Sequence, residues 1–319
     1  MLDWAARGRP PLALIAGPTA SGKSDCAVLL ALELKRRGRD AIIVNADSAQ
    51  VYADLSILSA MPTEDEMRGI GHVLFGSWDG ARPCSAADWA AAARREIEAA
   101  HGRGVVPILV GGTGLYMRTL LDGIAPVPAI DPMIRNHVRA LPVGDAHAAL
   151  AVEDPERAAS LAPADSARIT RALEVVRSTG RTLAEWQRER EGGIGDAVSV
   201  HPLILLPDRA QLYARCDARF AAMIARGAVG EVRSLLKREL APDLPVMRAI
   251  GVPEIASHLR GDCSLDEAQA AAAQATRNYA KRQFTWFRRQ PPQDWPRSEI
   301  ADYADFDKRA IICRTFGLT

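Results

Sequence analysis

Residues 17 to 24 read GPTASGKS, so Gly17, Gly22, Lys23 and Ser24 satisfy the spacing GxxxxGK[ST]. In such a loop the backbone N–H groups and the N-terminus of the following helix favour an anion. Lys23 adds a point charge, and the Ser24 hydroxyl is placed to reach a divalent cation. Two further groups are candidates for chemistry: Asp47, in NADSAQVY, and Thr113, in GGTGLY. An acid, a hydroxyl and an anion cradle are what binding a phosphorylated ligand and moving a proton beside it would need. Phosphoryl transfer also asks for a strand ending in a carboxylate that holds Mg²⁺. The strand VVPILV instead runs into GGTG, and no NKxD-type guanine element occurs, which weakens the nucleoside triphosphatase reading.

These groups must be positioned by strands and helices. LALIA (12 to 16) is a short apolar run, the loop follows, and DCAVLLALELKRRG has helical spacing ended by Gly38. AIIVNAD supplies the next strand, completing a βαβ unit with a parallel sheet. Further strands are expected at 105 to 110 and 200 to 206, with an Ala-rich helix between Ser85 and Ala100 opening near Asp88. The fold class is therefore α/β, a P-loop core with a parallel sheet flanked by helices. Ligands bind such sheets at the carboxyl edge, where the loop, Asp47 and GGTG would meet. From 131 to 196 the pattern becomes purely helical, with Asp-Pro starts and Gly180 as a stop. The expected domains are 1 to 130 with 197 to 319, and a helical insertion over 131 to 196.

Composition bounds the partners. The chain of 319 residues is long enough for one large domain and a smaller one, with 48% hydrophobic residues. A net charge of +1 excludes a global field for nucleic acid, so any such contact rests on local clusters. Five scattered cysteines, none in a CxxC pair, argue against a zinc ribbon or a disulfide framework. The apolar run before the loop is too short for a membrane span. A reducing cytoplasm and no membrane are expected.

In order and spacing, GPTASGKS, DSAQVY, GGTGLY, ARITRALEV (167 to 175), LPDRAQLYARCDARFAAMIARGAVGEV (206 to 232) and NYAKRQFTWFRRQ (278 to 290) resemble the tRNA dimethylallyltransferase (IPP transferase) family nearly end to end. The resemblance implies transfer of a dimethylallyl group from dimethylallyl diphosphate to N6 of the adenosine beside the anticodon, in tRNAs reading codons that start with U. The loop residues Gly17, Pro18, Thr19, Ala20, Ser21, Gly22, Lys23 and Ser24 would then hold a diphosphate that leaves intact, with Mg²⁺ on Ser24. It implies catalytic roles for Asp47, Thr113 and Arg209. It implies contacts to the tRNA anticodon stem-loop from Asp47, Ser48, Ala49, Gln50, Thr113, Arg135, Ala167, Arg168, Ile169, Thr170, Arg171, Met247, Arg248, Gly251, Arg277 and Lys281. A bacterial-type enzyme is expected, because the zinc finger of eukaryotic members has no counterpart here, and a monomer is expected.

Each residue has a plainer reading. Asp47 after a strand caps turns as often as it reacts, Thr113 suits a turn, and Arg209 suits a surface pair with Asp208. The stripe Arg277, Lys281, Arg288 with Phe284 reads as a solvated basic face unless RNA is its partner. The sequence departs from the family at MRAIGVPE (247 to 254) and at Ser59, Ala60 and Met61, where a glycine-threonine-alanine-lysine-like run is usual; both are expected to leave the loop, Asp47 and Thr113 untouched. The rivals are a P-loop small-molecule or nucleotide kinase, and an RNA-binding protein with a vestigial loop.

Overall fold

The computed structural model describes residues 8 to 299 and 312 to 317. The chain divides into two compact units, Met1–Leu120 with Gly195–Thr319, and Leu121–Ile194.

The first unit begins β1 (Pro11–Ala16), α1 (Lys23–Arg36), β2 (Ala41–Asn45), α2 (Glu64–Met67), β3 (Gly71–Val73), α3 (Ala86–Gly102), β4 (Val106–Gly111) and α4 (Gly114–Asp122). The second unit carries α5 (Pro132–Ala140), α6 (Val143–Glu153), α7 (Pro155–Ser160), α8 (Ser166–Thr179) and α9 (Leu183–Arg188). The first unit resumes with β5 (Ser199–Leu205), α10 (Arg209–Ala225), α11 (Ala228–Leu236), a 3-10 turn at Pro245–Arg248, α12 (Val252–Arg260), α13 (Leu265–Arg289) and β6 (Arg297–Ser298). None of the helices among the described residues is long and apolar enough to cross a membrane.

The six strands form one parallel sheet in the order β3-β2-β4-β1-β5-β6. The core strands have the near-continuous apolar sequences expected of strands covered on both faces. Ala13, Ile15, Ile43, Ile108, Val110 and Leu203 pack against Ala27, Leu30, Ala31 and Leu34 of α1. Register brings the functional loops level, because Ala16 pairs with Gly111 and Asn45 with Val110. The ends of β1, β2 and β4 thus release GPTASGKS, Asp47 and Thr113 at one edge. β3 and β6, of three and two residues, were not expected from sequence; runs so short carry no readable period.

In the second unit, Val138, Ala146, Leu150, Ala158, Leu161, Ile169, Ala172 and Leu173 form a core. Its helix starts are capped by Asp131, Asp154 and Asp165. Its boundary falls ten residues before the expected 131 because Ile124 and Glu191 exchange backbone hydrogen bonds, at 2.9 and 3.0 Å, tying both ends of the insertion together.

Two glycines give opposite expectations. A Cβ on Gly111 would lie 2.1 Å from the Ala46 carbonyl oxygen, so Gly111→Ala must push β4 from the loop after β2 and should cost about 1–3 kcal/mol. Nothing lies near a Cβ on Gly144 in the first turn of α6, so Gly144→Ala should stabilise by about 0.5–1 kcal/mol. Denaturant midpoints of the two variants test both signs.

Candidate active site

The loop after β1 is shaped as an anion cradle. Ala20 holds a left-handed φ of 61°, strain that a non-glycine residue keeps only where its surroundings impose it. Gly17 is required by crowding, since a Cβ there would lie 2.6 Å from the Leu205 carbonyl oxygen. The Ser21 hydroxyl is buried and has no hydrogen-bond partner among the described residues. The buried Lys23 ammonium donates to the Pro18 carbonyl at 3.2 Å. Burial pulls its pKa down from 10.5 to about 8, Asp47 partly restoring it and Arg219 lowering it further.

The loop is tied to its neighbours by Gln283 of α13, buried on the apolar face that also carries Ala280 and Phe287. Its amide oxygen accepts the Thr19 N–H at 2.8 Å and its amide nitrogen donates to the Gly112 carbonyl at 2.9 Å. Sequence reasoning missed Gln283; its place in the apolar register of α13 was the signal.

Asp47 stands beside the cradle. Its Oδ1 accepts the Ala49 N–H at 3.0 Å, so it does cap the turn, while no hydrogen bond engages Oδ2 among the described residues. Buried Asn45 fixes the approach: its amide oxygen accepts the Asp47 N–H at 2.8 Å and its amide nitrogen donates to the Leu74 and Asp47 carbonyls. Thr113 acts from β4, its Oγ1 accepting the Ser48 N–H at 2.9 Å and donating to Ser48 Oγ at 3.2 Å. The Tyr279 hydroxyl joins Thr113 and Ser48, and burial raises its pKa.

Two cavities meet at this point. One, of about 450 Å³, is lined by residues 19 to 25 with Asp47, Gln50, Ser59 to Pro62, Glu66, His72 and the arginines 215, 219 and 226. The other, of about 370 Å³, has walls from Tyr52, Leu55, Leu58, Tyr116, Phe220, Met223, Ile250 and Tyr279. Thr19, Asp47, Ser59 and Arg219 line both. A polar, basic chamber therefore opens onto an apolar and aromatic one, with a carboxylate and a guanidinium at the junction.

Several expectations are modified. Arg209 begins α10 with its guanidinium 4.8 Å from the Phe284 ring centre and lines neither cavity. Ten residues on, about 15 Å along the helix, Arg219 lines both and donates to Thr19 Oγ1 at 3.4 Å. Thr113 lines neither cavity, its hydroxyl being spent on Ser48 and Tyr279. The Ile169 side chain is buried in the helical core. Gly251 is buried with φ 97°, and Val252 is buried, while Arg248, Ala249 and Ile250 line the apolar cavity. Met247 is half-buried. Arg277 pairs with Asp217, Lys281 and Arg288 are exposed, and Phe284 packs on Leu212, Cys216 and Ala280 rather than standing free. Ser59, Ala60 and Met61, expected to leave the loop and Asp47 untouched, line the basic chamber beside them.

No group of three or more His, Cys, Asp or Glu among the described residues forms a metal cage. The Ser24 hydroxyl, with the Asp25 carboxylate beside it in the chamber, is an oxygen donor set suited to a hard cation carried chiefly by phosphate oxygens. The fit to Mg²⁺ is chemical and needs no dedicated cage.

A P-loop α/β core with an acid at the cradle's edge and an apolar annex is the arrangement of a phosphate-binding enzyme with room for an apolar group beside the anion. The IPP transferase family profile matches residues 50–290, and that for isopentenyl transferase matches 10–77. The chain is 65% identical to the tRNA dimethylallyltransferase of Erythrobacter litoralis, covering 94% of each. It is 67% identical to that of Novosphingobium aromaticivorans, over 87% of this chain and 99% of the relative. Among solved structures, the tRNA isopentenylpyrophosphate transferase of Bacillus halodurans aligns with a TM-score of 0.67 at 30% identity over 97% of each chain. A eukaryotic dimethylallyltransferase acting on tRNA aligns with a TM-score of 0.74 at 27% identity, over 86% of this chain and 69% of that one. The chain belongs to the IPP transferase family.

The depressed Lys23 pKa has a signed consequence. An anion prefers the ammonium, so binding raises the pKa and takes up a proton where the free protein has lost one. The Lys23 contribution to diphosphate affinity should be flat below about pH 7 and fall above about 8, approaching tenfold per pH unit. Calorimetry in buffers of different ionisation enthalpy should show proton uptake at pH 8.5 for the native chain and none for Lys23→Arg, whose charge does not titrate.

Proposed function

We propose that this chain transfers the dimethylallyl group of dimethylallyl diphosphate to N6 of the adenosine beside the anticodon, in tRNAs reading codons that begin with U. The observation that carries the reading is the pair of joined cavities sharing Thr19, Asp47, Ser59 and Arg219. The diphosphate lies in the basic chamber and the five-carbon chain points into the apolar one. Leu55, Leu58, Phe220 and Met223 keep water from the allylic carbon.

The adenine amine is a weak nucleophile, its lone pair being delocalised into the ring. The adenosine is turned out of the anticodon loop into the aromatic chamber, at a cost of a few kcal/mol offset by RNA contacts. Asp47 Oδ2 accepts an N6 proton as the N6–C1 bond forms and the C1–O bond to the diphosphate breaks. Charge growing on the leaving diphosphate is met by Lys23, Arg219 and the loop N–H groups. One such donor contributes on the order of 3 kcal/mol. Ser24 would hold Mg²⁺, which would neutralise part of the diphosphate charge. Thr113 holds the Asp47 loop rather than touching substrate, through Ser48. Ser48, Ala49, Gln50, Arg248 and the arginines of the helical unit supply RNA contacts. The enzyme works as a cytoplasmic monomer.

The kinase alternative is disfavoured because β4 ends at Gly111 and runs into Gly112 and Thr113, with no carboxylate there to hold the Mg²⁺ that phosphoryl transfer asks for. Nucleoside mass spectrometry of tRNA incubated with protein, donor and Mg²⁺ should reveal a dimethylallyl adduct on adenosine, with diphosphate released only when tRNA is present. Label passing from γ-labelled ATP to an acceptor would instead revive the kinase.

Three substitutions refine the assignment. Asp47→Asn should lower kcat by about 10²–10⁴-fold. Arg219→Gln should lower it by about 10²–10³-fold. Arg209→Gln, outside both cavities, should stay within a few-fold of the parent; single-turnover rates at saturating donor rank the three, and equal losses at Arg209 and Arg219 would contradict the placement.

A further inference from the structure

In the helical unit one buried carboxylate gathers three arginines. Glu174 of α8 is 3% exposed. Its Oε1 lies 3.0 Å from Arg139 Nε, which donates to it, and 4.0 Å from Arg135 Nε, while its Oε2 is 3.8 Å from Arg171 Nη1. The arginines come from two helices: Arg135 and Arg139 stand one turn apart on α5, and Arg171 stands one turn before Glu174 on α8. Their side chains remain 41, 59 and 44% exposed. Arg168 extends the row on α8, exposed and 3.6 Å from Asp165.

A structural ion pair between α5 and α8 would need one arginine. Three converge, so the cluster keeps two uncompensated positive charges, held together against their mutual repulsion and facing solvent. Burial makes Glu174 rigid: it fixes Arg139 by a hydrogen bond and draws Arg135 and Arg171, at 4.0 and 3.8 Å, by charge alone, while all three side chains keep part of their surface in solvent. A guanidinium so oriented presents a ready fork to a phosphate oxygen without first losing side-chain freedom.

We infer that Glu174 is a positioning residue for RNA binding: it arranges Arg135, Arg139 and Arg171 as one plate for successive phosphates of the RNA backbone, with Arg139 an added contact. The inference rests on the tRNA-modifying reading proposed above. The plate grips backbone rather than bases, so it contributes affinity and register without sequence choice.

Charge alone and positioning predict opposite signs for Glu174→Gln. Removing the acid raises the cluster's positive charge, and a purely electrostatic surface would bind RNA more tightly. A positioning role predicts weaker binding, because the arginines lose their anchor. We expect the tRNA KM to rise about tenfold, and the slope of log affinity against log salt to flatten by about 1 or more. Turnover at saturating tRNA and the donor KM should change far less. Circular dichroism and thermal melting show whether the helical unit has kept its fold. Should Glu174→Gln unfold it, Arg139→Gln decides, its guanidinium lying mostly in solvent: a KM rise of about threefold with a slope flatter by about 1 is expected. Unchanged or tighter tRNA binding in the folded Glu174→Gln protein, or an unchanged slope in Arg139→Gln, overturns the inference while native turnover stands. A native protein that leaves tRNA unmodified overturns the underlying reading, and this inference with it.

Discussion

The site depends on keeping a buried ammonium and a carboxylate in one cleft without letting them collapse into a pair. Lys23 and Asp47 feel each other, yet no salt bridge joins them among the described residues. Each is held by its own loop, Lys23 by the Pro18 carbonyl and Asp47 by the Ala49 N–H. Were either free, attraction in a cavity poorly screened by water would favour closure. The backbone tethers keep the space open, so a substrate with an anionic end and a proton to lose can enter between them.

Tethering of this kind needs loops that do not drift, and here buried polar side chains supply the stiffness. Asn45 locks the turn carrying Asp47, Thr113 with Tyr279 locks the residue after it, and Gln283 joins the phosphate loop to the end of β4. Trp89 stacks on Tyr116 with ring centres 4.4 Å apart and donates to the Asn45 carbonyl, securing the base of the same group. Buried and paired, these groups specify one arrangement, because any alternative leaves a desolvated amide or hydroxyl unmatched.

The parallel core and the cradle were legible because their signals are local. A glycine-framed loop between an apolar run and a helix, and an acid after the next strand, say where they sit. The helical insertion was legible from its Asp-Pro starts, which the structure uses as caps. What stayed hidden depends on which way a helix faces. Arg209 and Arg219 lie in one motif, and only the packing of α10 against α13 decides which reaches the cavities. Thr113 and Gln283 were likewise ambiguous, since a polar residue at a turn or on an apolar helix face announces a bond but not its partner. Glu174 stands five residues past the buried core position Ile169 without any sign of how many arginines it will collect.

The departure at Ser59, Ala60 and Met61 shows what the site can leave to variation. The segment lines the basic chamber, so a change there ought to disturb the cradle's wall. Its backbone, however, is gripped from both sides by residues outside it. Gln50 donates to the Ser59 and Ala60 carbonyls at 3.0 and 2.7 Å. Glu231 of α11 accepts the N–H groups of Ile57 and Leu58 at 2.7 and 2.9 Å and the Ser56 hydroxyl at 3.0 Å. Ala60 keeps a left-handed φ of 53° inside this grip, strain that these surrounding bonds maintain. The path of the wall is thus set chiefly by backbone bonds to an amide and a carboxylate, with the Ser59 hydroxyl adding one bond to the Leu55 carbonyl. The chamber's positive charge comes instead from Lys23 and from Arg215, Arg219 and Arg226, which line it from α10 and its C-terminal cap.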